Sequence, residues 1–158
     1  MKALVVYYSR TGMTKDAANL LAQNMGCDIE EIIDTKSRNG LKGYIMGGKD
    51  AATKTLTQIK QTQKDPGAYD TVIIGTPVWA FTMTPAIRTY IEENKGKLRN
   101  VAFFCTEGGA GGKKTFKDME EICGIKPKGV LEITERDIKK GSYKTMAGEF
   151  VESIRQNP

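Results

Sequence analysis

The chain contains no histidine. That absence removes a Ser-His-Asp or Cys-His nucleophilic site, a His-ligated zinc and imidazole acid–base chemistry. Cysteine is scarce as well. Cys27, Cys105 and Cys123 are an odd, widely spaced set without a CxxC or other metal-ligand pattern, so they read as reduced core thiols. No uninterrupted apolar stretch is long enough for a membrane helix. The first residues offer no signal peptide, because Lys2 leads into the short apolar run Ala3 to Tyr8 without a small-residue cleavage site, and a cytoplasmic location is expected. Any chemistry is therefore expected to belong to a cofactor.

What is present describes one ordinary domain over residues 1–158. The apolar fraction is 39% and the charged fraction 27%, and a chain of this length buries roughly 70% of its unfolded surface. The formal charge of +5 is unevenly placed. Between residues 36 and 64, Lys36, Arg38, Lys42, Lys49, Lys54, Lys60 and Lys64 face a single acid, Asp50. The default reading of such a run is a solvated helix face. Nucleic-acid binding would require aromatic stacking positions among the basic groups, and Tyr44 alone does not supply them, so neither nucleic acid nor membrane is an expected partner.

Short apolar runs bounded by turn signals predict strands at residues 2–8, 27–33, 71–76, 100–105 and 129–133. Several are near-continuous in Val, Ile, Leu and Phe, as in strands covered on both faces. Helical spacing lies between them. Ala17, Leu20, Leu21 and Met25 form one stripe, closed by Gly26 in a left-handed cap. Thr84 and Pro85 open a helix carrying Ile87, Tyr90 and Ile91 inward. Phe116, Met119, Ile122 and Cys123 mark the next, ended by Gly124, and Ser142 is read as the cap of a last helix bearing Tyr143, Met146, Ala147, Phe150, Val151 and Ile154. The Gly-, Lys- and Thr-rich section 34–67 is expected to hold the second helix at residues 48–59. Strand–helix alternation implies a three-layer, doubly wound α/β domain with a five-stranded parallel sheet in the order 2-1-3-4-5.

In such a sheet the ligand lies beyond the carboxyl ends of the strands, which points to residues 9–14, 76–84 and 106–115. The first segment offers Ser9, Thr11 and Thr14 hydroxyls, Gly12 and the free N–H groups of a helix start, a combination suited to a phosphate dianion. A capped turn alone would explain Gly12 and Thr14 but not the other two hydroxyls. GxGxxG and GxxxxGK[ST] are both missing, against NAD and NTP binding. In the second segment Trp79 and Phe81 stand where a loop would reach solvent, and a wide aromatic face suits stacking on a flat ring; packing into the core is the alternative for Trp79. The third, with Gly108, Gly109, Gly111 and Gly112, allows close backbone approach to a flat ligand.

Val5, Val6, Tyr7, Tyr8, Ser9, Arg10, Thr11, Gly12, Met13 and Thr14 resemble the first strand and FMN-phosphate loop of the flavodoxin family. Gly75, Thr76, Pro77, Val78 and Trp79, followed by Thr84 to Arg88, resemble its second flavin loop and the helix after it, and Thr106, Glu107, Gly108 and Gly109 resemble the third. The resemblance covers essentially the whole chain, without the long insertion of long-chain members. It implies non-covalent FMN, with Ser9, Arg10, Thr11, Gly12, Met13 and Thr14 on the phosphate. It also implies Thr76, Pro77, Val78 and Trp79 on the ring and ribityl chain, and Thr106, Glu107, Gly108 and Gly109 on the pyrimidine side. The implied function is electron transfer. The alternative is an FMN-dependent NAD(P)H reductase of quinones or similar acceptors. Flavodoxin carriers are typically acidic and this chain is basic, so the expected partner is an acidic redox protein, or NAD(P)H held by its phosphates.

Overall fold

The five apolar runs extend as strands because Val, Ile and Phe pack well on a pleated surface, and the sheet they build is parallel throughout. The computed structural model describes residues 1–157. Strands β1 (Ala3–Tyr7), β2 (Asp28–Glu31), β3 (Thr71–Pro77), β4 (Asn100–Glu107) and β5 (Val130–Thr134) run in the order β2-β1-β3-β4-β5, as expected. Helices α1 (Met13–Met25), α2 (Gly40–Ala52), α3 (Pro85–Asn94), α4 (Gly112–Cys123), α5 (Glu135–Lys140) and α6 (Tyr143–Gln156) cover both faces.

Alternation along each strand divides the core in two. Leu4, Val6, Val72, Ile74, Val101 and Phe103 meet Ile87, Tyr90 and Ile91 of α3 and Phe116 and Met119 of α4 on one face. Val5, Ile73, Ala102, Phe104, Leu131 and Ile133 meet Leu21 of α1 and Phe150, Val151 and Ile154 of α6 on the other. Each fully buried Leu, Ile, Val or Phe contributes about 1.5–3 kcal/mol, so the two layers carry most of the stability. The thiols belong to these layers: burial pushes Cys123 up to about 12 and raises Cys105 further. Half-buried Cys27 rises to about 11 for the same reason, with Asp28 adding to it.

Several local expectations are met and four are corrected. Gly26 and Gly124 end α1 and α4 in left-handed conformation, and Thr84 accepts the Ile87 N–H above Pro85 at the first turn of α3. The second helix, however, spans Gly40–Ala52 and not residues 48–59. Its three packing positions, Gly43, Gly47 and Ala51, are small residues one turn apart, a pattern that reads as loop when glycine is taken as a breaker. Strand β2 stops at Glu31 instead of Ile33, since only the Ile32 N–H continues onto Tyr7 O (2.7 Å). The short helix α5 was not expected; a capping box between Thr134 and Asp137 nucleates it. Ser142 makes no side-chain cap on α6 and instead donates its hydroxyl to the Asp137 carbonyl (3.3 Å) and carboxylate (3.2 Å).

Gly75 pairs in register with Phe104, and a Cβ there would drive into the Phe104 ring. The Gly75→Ala variant is expected to lose about 1–3 kcal/mol by overpacking. A urea titration would show this as a lower midpoint at unchanged m-value; an unchanged midpoint would mean that Phe104 has room to turn aside.

Candidate functional site

The carboxyl edge of the sheet gathers all three predicted segments around β1, β3 and β4. In the first, the chain leaves β1 at Tyr8 and turns through Gly12 at φ 103°, a left-handed conformation that favours glycine. The Ser9 hydroxyl accepts the Gly12 N–H (3.0 Å), which curls the loop on itself. The first backbone bond of α1 runs from Asp16 N–H to Gly12 O (2.9 Å), and no side chain caps the helix. The N–H groups of its first turn therefore remain available, with exposed Thr11 beside them, where the helix dipole favours an anion. A cavity of about 330 Å³ opens here between Thr11, Gly12, Met13 and the start of α5 and α6 at Glu135, Ile138 and Tyr143.

Thr14 behaves differently from Ser9 and Thr11. It is buried, and its hydroxyl lies 2.7 Å from that of buried Thr106 on β4. A hydroxyl can accept and donate at once, so Thr14 can accept a hydrogen bond from the Thr106 hydroxyl and still donate its own to a bound anion. Thr106 also accepts the Val78 N–H at its carbonyl (2.9 Å), which joins the second segment to the same point.

The second segment folds into a tight hairpin. Trp79 and Thr82 exchange both backbone hydrogen bonds (2.9 and 3.0 Å), and the two residues between them, Ala80 and Phe81, have φ of 48° and 63°. Left-handed conformation in non-glycine residues costs roughly 1–2 kcal/mol each. The turn is held from beneath: Thr82 donates to Asp118 (2.6 Å) and accepts from buried Arg88 (3.2 Å), while Asp118 also pairs with Lys114 (2.6 Å). Phe81, at the tip of this turn, is 59% exposed. Trp79 is half-buried, its ring edge-on to Tyr8 with centroids 5.6 Å apart, and its six-membered ring rests against Gly47 of α2. Trp79 thus packs against the core and also lines an open cleft of about 320 Å³.

In the third segment Gly108 and Gly109 are exposed, and Gly111 sits so close to Val78 that a Cβ would lie 2.8 Å from its methyl. Glu107 does not face solvent with them. It is buried, and its carboxylate accepts the Gly112 N–H at the start of α4 (3.1 Å).

The flavodoxin family model matches residues 2–140. The chain belongs to the flavodoxin family. Among solved structures, its fold is similar to that of a flavoprotein from Lactobacillus acidophilus in complex with FMN: 25% identity over 89% of this chain and 98% of that one, TM-score 0.73. The apo form of the Lactobacillus acidophilus flavoprotein matches at 25% identity over 88% and 95% of the two chains, TM-score 0.65. The two-electron reduced flavodoxin of Megasphaera elsdenii shares the fold at 14% identity over 95% and 98%, TM-score 0.62. No curated protein sequence matches.

Two features of this flavodoxin-family chain escape a reading of residue types alone. Arg38, assigned from the sequence to an exposed basic face, is 3% exposed and binds Asp34 (3.1 Å) and Asp50 (2.6 Å). It clamps the start of α2 to its last turn, and its carbonyl accepts from Arg10 (3.4 Å). Lys36, Lys42 and Lys49 remain exposed. Arg10 itself stacks over the Tyr44 ring of α2, 5.2 Å from its centroid. The spacing of Gly43 and Gly47 with Ala51 was the available signal for that helix. No helix among the described residues is long and apolar enough to cross a membrane, and no cluster of three His, Cys, Asp or Glu suits a metal ion.

Burial, followed by hydrogen bonding and repulsion from Glu132, raises the Glu107 carboxyl to about 7. The folded state then holds this proton more tightly than the unfolded chain, whose carboxyl titrates near the ordinary glutamate value. Its contribution is fully present below the unfolded pKa and is lost as pH rises through about 7. Between pH 5 and pH 8 the wild-type protein should lose stability relative to Glu107→Gln. Parallel denaturation curves for the two proteins across that range would contradict the assignment.

Proposed function

We propose that the protein binds FMN non-covalently across these three loops and passes electrons through it. The observation that carries this reading is the uncapped start of α1, where free N–H groups and the Thr11 hydroxyl border a cavity of about 330 Å³ in a chain of the flavodoxin family. Ser9, Arg10, Thr11, Gly12, Met13 and Thr14 would hold the phosphate. Thr76, Pro77, Val78 and Trp79 would flank the ring and ribityl chain, and Thr106 to Gly109 the pyrimidine side. The FMN held by the Lactobacillus acidophilus relative supports the same cofactor. Bound flavin supplies one- and two-electron redox chemistry, and the protein's part is to hold and orient it, to exclude water and to tune its potential. The physiological partner in this reading is an acidic redox protein steered by exposed Lys36 and Lys42, without Arg38. The open cleft beside Trp79 favours a second reading, in which NAD(P)H reduces the flavin directly.

A phosphate site predicts strong preference for FMN over riboflavin. Charge-assisted hydrogen bonds are worth about 1.5–3 kcal/mol each, so Thr11→Ala should weaken FMN about tenfold or more and leave riboflavin nearly unchanged. Equal loss for both ligands by fluorescence titration would remove the phosphate assignment. Stopped-flow mixing of the FMN-loaded protein with NADPH separates the two readings: the carrier bleaches slowly, the reductase fast.

A further inference from the structure

Helix α2 is built inside out. Its buried positions are Gly43, Gly47 and Ala51, whereas Leu41, Tyr44, Ile45 and Met46 are 76%, 60%, 60% and 45% exposed. An amphipathic helix ordinarily turns such residues inward. Here the small face lets the helix settle against Trp79, since a Cβ on Gly47 would lie 2.7 Å from the indole. The consequence is a concave space of about 320 Å³ between Tyr44, Ile45, Gly48 and Lys49 of the helix and Val78 to Ala80 of the strained turn. It is at the lower end of the usual range for small-molecule sites.

The walls of this cleft have a chemical character. Tyr44 and Trp79 present aromatic surface, and Ile45 and Val78 aliphatic surface. Gly48 leaves the floor open, because a Cβ there would touch nothing. Positive charge lines the cleft at Lys49. The acid next in sequence, Asp50, does not offset it, since its carboxylate is bound to Arg38 at 2.6 Å.

We infer that this cleft, which shares Val78 and Trp79 with the second cofactor loop but contains no residue of the first or third, is a second ligand site that takes a flat one- or two-ring aromatic molecule bearing a carboxylate or sulfonate. The ring lies against Tyr44 and Trp79, and the acid group points toward Lys49. Aromatic contact supplies most of the affinity and Lys49 selects the charge. The claim concerns binding and stands whether or not the flavin is the ligand's redox partner.

The test is calorimetric titration of the FMN-saturated protein with 2-naphthalenesulfonate, with 2-naphthol and 2-naphthylmethylammonium as neutral and cationic controls. The sulfonate should bind more tightly than either control. Lys49→Gln should weaken it about fivefold, the upper range for an exposed ion pair, and remove its advantage over 2-naphthol. Gly48→Leu should fill the floor and abolish binding of all three, with FMN affinity and the thermal midpoint retained. Binding that survives Gly48→Leu, or a cation bound as well as the anion, would overturn the proposal. So would competition between the sulfonate and FMN, which would make the cleft part of the flavin's own seat. Titration of the apoprotein with FMN reports on the cofactor separately, so failure of FMN binding and failure of this site give different results.

Discussion

Sheet burial on both faces is the constraint from which the rest follows. Every strand pair is parallel, and β1, β3 and β4 are covered by α1 and α6 on one side and α3 and α4 on the other, so side chains from the strand bodies have no aqueous face to work on. Backbone groups of these three central strands meet solvent only at strand ends. The order 2-1-3-4-5 sends the connections from β1 and β3 to opposite faces, and the crevice between them at the carboxyl edge is where a ligand can reach both. Polar residue types without a use inside the sheet, such as Ser9, Thr11 and Thr14, are therefore found there.

The three loops are tied to one another. Thr106 holds the first through the Thr14 hydroxyl and the second through the Val78 N–H, and the third closes on the second where Gly111 touches Val78. Each net hydrogen bond is worth only about 1 kcal/mol, yet leaving one partner buried and unpaired costs about 1–3 kcal/mol. The geometry of the edge is thus over-determined, which is how Ala80 and Phe81 can persist in left-handed conformation.

How much of this was legible in the sequence depended on whether local signals and packing agreed. Where strands were near-continuous in branched residues and helices carried apolar stripes with Gly26, Gly124 or Thr84 at their ends, the elements and the sheet order could be read to within a few residues. The loops at the edge followed from the topology. The failures share a cause: the residue was satisfied by a partner that the local pattern did not point to. Ser142 looked like a cap and bonds Asp137 instead. Arg38 looked like surface charge and is paired with two aspartates, one of them twelve residues on. Gly43 and Gly47 looked like loop and form a packing face.

Helix α2 shows what that illegible segment does physically. With only two glycines and an alanine buried, it gains little from apolar burial, and glycine in a helix costs about 1 kcal/mol relative to alanine. Something else has to seat it. The Arg38 guanidinium bridging Asp34 and Asp50 joins the approach to the helix with its final turn, and Asp34 is itself held by Thr57 (2.8 Å). Replacing such a buried pair by apolar residues can be neutral, but removing one partner leaves a buried charge and costs about 3–5 kcal/mol. Buried pairs are screened little by salt, whereas Lys36, Lys42 and Lys49 are exposed and screened strongly. The same basic segment therefore holds two electrostatic systems of unequal salt response: an internal one that positions the wall beside Trp79, and an external one that can act only on what approaches it.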